Sequence, residues 1–123
     1  MAVTTVLLVP YTENGTPSGN YDGSSQSFIG NPAKASGYYR GRSGLSTVIF
    51  RVESFVGEIT VEATLDADPA NATWIPVAAY GDTSSDSSSS DIYPVNILGN
   101  YTWLRASITG FSAGIIDKVT ATY

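Results

Sequence analysis

The chain has 123 residues, 42% of them apolar and 14% charged, with a net charge of −5 and neither histidine nor cysteine. Without those two side chains there is no Ser-His-Asp or Cys-His nucleophile, no disulfide framework and no thiolate metal site. The negative charge argues against binding a phosphate backbone, and no stretch approaches the ~20 apolar residues that cross a bilayer, so neither nucleic acid nor a membrane is expected as a partner. The length suits one domain, residues 1–123. The charged share is well below the roughly 25% of soluble domains, so Ser, Thr, Asn, Gly and Tyr must cover much of the surface, which suits packing against neighbours.

In chain order, AVTTVLLV (residues 2–9) is the first candidate strand. It follows no basic segment and no cleavage pattern, so it is not expected to act as a signal peptide. Residues 12–37, TENGTPSGNYDGSSQSFIGNPAKASG, form a long polar connection with one short strand expected at QSFI. A structureless loop of that length is unusual in a compact domain. Ordering its backbone costs roughly 1–2 kcal/mol per residue, and Tyr21, Phe28 and Ile29 are few side chains to offset it. The segment is expected to wrap the domain or reach a neighbour. Tyr38, Tyr39 and the chain's basic pair, Arg40 and Arg42, follow it. They are predicted to join it in an assembly interface, with the arginines facing acidic groups on a neighbour.

From residue 45 the apolar pattern has period two, the mark of antiparallel strands with one wet face. In LSTVIFRVESF, Val48, Phe50 and Val52 alternate with Ile49, Arg51 and Glu53. In GEITVEATL, Ile59, Val61, Ala63 and Leu65 are predicted to point inward and Glu58, Thr60, Glu62 and Thr64 outward. An acidic turn, DADPAN, leads into TWIPVAA (73–79), then a Ser-rich loop over 81–91 and DIYPVNIL (91–98). Pro76 and Pro94 cannot donate to a ladder, so their strands belong at an edge or at a bulge. NYTWLRASI places Leu104, Ala106 and Ile108 inward and Tyr101, Trp103, Arg105 and Ser107 outward; KVTATY closes with Val119, Ala121 and Tyr123 on one face. No segment carries a capped 3.6-residue pattern. The fold class is all-β, an antiparallel β-sandwich or jelly roll of seven to eight strands.

Little of the chemistry survives comparison with simpler explanations. A glycosidase needs two convergent carboxylates, but Glu58 and Glu62 fall on the polar face of a strand and Asp66 and Asp68 in a turn. Asp82, Asp86 and Asp91 offer oxygens to Ca²⁺ without the spacing of an established loop, so a solvated loop is expected and no metal or cofactor. The sequons at Asn14, Asn71 and Asn100 are read as coincidental in the absence of a signal peptide. Tyr38, Tyr39, Tyr101 and Trp103 are the aromatics expected at the surface, where rings pair across strands, fill a protein interface or stack on a glycan.

The series STVIFRVESFVGEITVEATLDADPANATWIPV, with GNYTWLRASITGFSAGIIDKVTATY downstream, resembles small virion structural proteins of tailed phages, those infecting cyanobacteria above all. Phe55-Val56-Gly57, Ala63-Thr64-Leu65, Trp74, Gly99 to Arg105 and Gly114 to Val119 carry the resemblance, which covers roughly residues 45–123. It implies a non-enzymatic particle component, made in the host cytoplasm and located in the virion. Such a protein is expected to be a homo-oligomer in contact with a major capsid protein or with tail proteins. The role implied first is capsid decoration, ahead of a tail or baseplate component. A glycan-binding module for host adhesion is the rival class, with Tyr101 and Trp103 lining its cleft.

Overall fold

Alternating Val, Ile, Thr and aromatic residues favour a pleated, half-buried surface, and most of the chain adopts one. The computed structural model describes residues 5–39, 45–82 and 90–123. The strands are β1 (Thr5–Val9), β2 (Thr12–Glu13), β3 (Phe28–Ile29), β4 (Ala33–Lys34), β5 (Leu45–Thr64), β6 (Ile75–Asp82), β7 (Ser90–Leu98) and β8 (Trp103–Thr122). All pair antiparallel, and no α-helix occurs among the described residues.

The register reduces these eight strands to four long passes. β1 to β4 run in series along one edge of β8, while β6 and β7 run in series along one edge of β5. β8 and β5 pair with each other over nearly their whole length. The two long strands, β5 and β8, bend midway, which divides the assembly in two. Sheet I contains β1, the C-terminal half of β8, the N-terminal half of β5, and β7. Sheet II contains β3 with β4, the N-terminal half of β8, the C-terminal half of β5, and β6. The passes lie in the spatial order first, fourth, second, third, which is the strand order of a jelly roll, a double-sheet way to limit exposed edges.

The bends are visible as changes of parity. Buried apolar residues in β5 are Val48, Phe50 and Val52, then Phe55, Ile59, Val61 and Ala63. The switch from even to odd marks the extra residue of a bulge, and the register shifts there. Ser54 sits in the bend at φ +50° and Gly57 at φ +148°. In β8 the buried set runs Leu104, Ala106, Ile108, Phe111, Ile116, Val119 and Ala121, with Gly110 at φ +64° and Gly114 at φ +91°. A Cβ on Gly114 would strike the backbone carbonyl of Ser54. The two long strands therefore touch at their bends, and only glycine permits that approach.

Both sheets contribute to one core. Rings run through it in series: Phe50 stacks on Tyr80 at 5.8 Å, Tyr80 faces Phe55 at 6.2 Å, Phe55 meets Phe111 at 5.6 Å, and Phe111 meets Tyr21 at 5.3 Å. β6 and β7 pair with β5 alone, so Pro76 and Pro94 lie on edge strands, and a register shift falls opposite Pro76.

Two expectations change. Leu65 is 65% exposed rather than inward. The strand ends at Thr64, which is buried instead; its Oγ1 accepts from Asp66 N at 3.1 Å as the chain turns away. The connection over 12–37 wraps the domain with three short pairings where one was expected. Gly30 N donates to Ala106 O (2.8 Å), Ala35 N to Thr102 O (2.9 Å) and Asn14 N to Gly114 O (3.0 Å). The open edge of β8 supplies partners that a count of apolar side chains leaves out. Tyr21 adds a fully buried ring, 5.1 Å from Phe28.

Candidate functional site

The pairing of Lys34 with Trp103 brings the predicted aromatics together at one end of sheet II. A 3₁₀ turn, Ser36–Tyr39, lies against the connection between β7 and β8: Gly37 N donates to Tyr101 O at 2.8 Å, and a Cβ on Gly37 would meet Asn100 O. Tyr38 then meets Trp103 edge-on, with centroids 5.4 Å apart and planes at 66°. Lys34 Nζ lies 4.5 Å over the Tyr38 ring. Trp103 is half-buried and donates its indole N–H to Ala67 O at 3.1 Å. Tyr101 packs against the core. Of the six residues predicted to form an interface, the structure thus joins Tyr38 and Trp103, while Tyr101, expected at the surface, is half-buried against the core. Arg40 and Arg42 lie outside the described residues, as does the Tyr39 side chain.

Beside that cluster, Arg105 donates to Glu62 Oε1 at 2.8 Å and lies 4.3 Å over the Trp74 ring. The acidic turn is held by its own carboxylates: Asp66 Oδ2 accepts from Thr73 N (2.8 Å), and Asp68 Oδ1 and Oδ2 accept from Ala70 N and Asn71 Nδ2 (both 3.0 Å). Asp22 does the same in the long connection. Backbone N–H donors of Ser25, then Ser24, hold its carboxyl down at about 2 against an ordinary 3.8. Asp86 lies outside the described residues, together with the side chains of Asp82 and Asp91. Among the described residues no cluster of acidic side chains could hold a metal ion.

The outer face of sheet I escaped the sequence reading. Residues directly opposite in register share a face. One row across four strands is therefore Leu7–Thr120–Ile49–Pro94, and the next is Thr5–Thr122–Thr47–Asn96. The second row is tied by hydrogen bonds between Thr5 and Thr122 (3.1 Å) and from Thr47 to Asn96 (2.8 Å). Neither row contains an ionisable group. Leu7 is 53% exposed, Leu98 77% and Ile92 64%. Arg51 and Lys118 then face each other in the row beside Ile92. Arg51 Nε is buried without a hydrogen-bond partner among the described residues. The signal lay in Ile49, an aliphatic residue on the supposedly wet side of its strand. No protein-family model and no curated protein matches this chain.

Proposed function

We propose that this chain is a non-enzymatic structural protein of a tailed-phage virion, and specifically a capsid decoration protein that steadies the shell through contacts with neighbouring subunits. The outer face of sheet I carries this reading: two successive rows across four strands hold Thr, Leu, Ile, Pro and Asn without a charge, with Leu7 and Pro94 exposed among them. Exposed apolar surface of that kind marks a contact with another macromolecule. The aromatic cluster favours the same class over glycan binding. Sugar rings stack on open aromatic faces, whereas Lys34 lies over Tyr38, Arg105 lies over Trp74, and the Trp103 N–H is engaged.

The test is location. Purified particles, separated into heads and tails, should contain the chain in many copies in the head fraction. Recovery in tails alone assigns it to the tail or baseplate instead. Absence from both fractions, with the chain present in the infected cell, removes the virion reading.

A further inference from the structure

Arg51 and Lys118 are the first charged positions beyond the Leu7–Thr120–Ile49–Pro94 row. The ion pair found among the described residues, Arg105 with Glu62, lies on the other sheet. Glu53, one row farther along the same face, and Asp117, in the adjoining bulge, make no ion pair with either cation there. Like charges directly opposite on neighbouring strands repel. On a chain of net charge −5, a cation pair that borders exposed aliphatic side chains and has no ion-pair partner among the described residues fits a contact with an acidic surface.

We propose, building on the structural-protein reading, that the outer face of sheet I docks on a different protein whose contact surface presents aliphatic side chains bordered by a pair of carboxylates. The aliphatic part lies on Leu7, Ile49, Pro94 and Leu98, and the carboxylates lie over Arg51 and Lys118. Charge complementarity of this kind fixes register and speeds encounter.

A second copy of this chain, set face to face about a two-fold axis, does not satisfy the face. A two-fold axis along the strands sets Arg51 and Lys118 against their own equivalents. An axis across the strands at the Ile49 row sets them against Thr47 and Thr122. Shifting that axis to bring Glu53 over Arg51 carries Leu45, Thr47 and Leu98 out of contact. Each arrangement leaves either the cations or the aliphatic rows without a match.

The experiment uses particles assembled without this chain, mixed with the purified full chain and sedimented at increasing NaCl. Lys118 and Leu98 are exposed, so Leu98→Asp should keep the wild-type melting temperature and Lys118→Glu, which sets a carboxylate opposite Arg51, should not lower it. Each should weaken binding by about tenfold or more, while Lys118→Arg retains it, and wild-type affinity should fall as salt rises. If the wild-type chain binds and both variants bind equally well, the docking face is wrong and the virion reading stands. If the wild-type chain self-associates in solution and both variants are monomeric, the face is a self-contact and the proposed partner is wrong. If the wild-type chain does not bind the particles at all, the virion reading falls and takes this proposal with it.

Discussion

Phe50 is fully buried and touches both Tyr80 and Tyr93, at 5.8 and 6.3 Å. Truncating it removes the ring where sheet I meets sheet II, so Phe50→Ala should cost about 3–5 kcal/mol in a denaturant titration. Leu65 makes the opposite case. Alternation places it with Ile59, Val61 and Ala63, yet it lies past the end of its strand and is mostly exposed. Leu65→Ser should therefore change stability by no more than about 0.5 kcal/mol. A loss comparable to that of Phe50→Ala would return Leu65 to the core. At this scale the sequence was legible wherever a strand continued: Leu104, Ala106, Ile108 and Val119 are all buried as predicted. It was misleading where a strand stopped, because the turn after Thr64 is set by the Asp66 N–H to Thr64 Oγ1 bond and not by hydropathy.

Between residues 45 and 65 the sequence suggests two strands, and the structure has one bent strand. The apolar pattern changes parity between Val52 and Phe55, but parity does not distinguish a bulge from a turn. The bend itself can be tested with two glycines of nearly equal φ. Gly114 (+91°) faces the Ser54 carbonyl, whereas a Cβ on Gly15 (+93°) meets nothing within 4 Å. Gly15→Ala should cost only the conformational penalty, about 1–2 kcal/mol. Gly114→Ala should cost clearly more, because the two long strands must separate; equal losses would place the crossing elsewhere. The turn at Asp22 makes a pH prediction. Its carboxyl, at about 2, titrates below the ordinary 3.8 because Ser25 and Ser24 N–H groups stabilise the anion. The anion's contribution is complete above the ordinary value and disappears as pH falls through the folded one. The stability difference between wild type and Asp22→Asn should therefore shrink from about pH 4 to about pH 2, and a difference constant over that window would show that these hydrogen bonds do not form.

Across the whole molecule, local pattern names the strands and says which residues share a side, but not what covers that side. The Tyr38–Trp103 contact and the bare face of sheet I both follow from pairings between residues 34 and 103, or 7 and 120, far beyond any local window. The same long-range pairing alters the expectation for residues 12–37. Gly30 and Ala35 donate to the edge of β8, so in the isolated chain their amides should exchange slowly, as strand amides do. Fast exchange that slows only in an assembled particle would instead support an interface built from residues 12–42. β8 has a further consequence. It is an inner strand of both sheets, lying between β5 and the first pass throughout, yet it follows every other strand in sequence. During translation, β5 can form hairpins only with β6 and β7, the strands that emerge next, while the aliphatic sides of all of them stay open to water. Sheet II cannot close until the first half of β8 has left the ribosome, and sheet I cannot close until residue 122 has. Folding must then wait for β8 and join chain segments more than a hundred residues apart, Thr5 with Thr122 among them, which places this domain among slow, non-local folders.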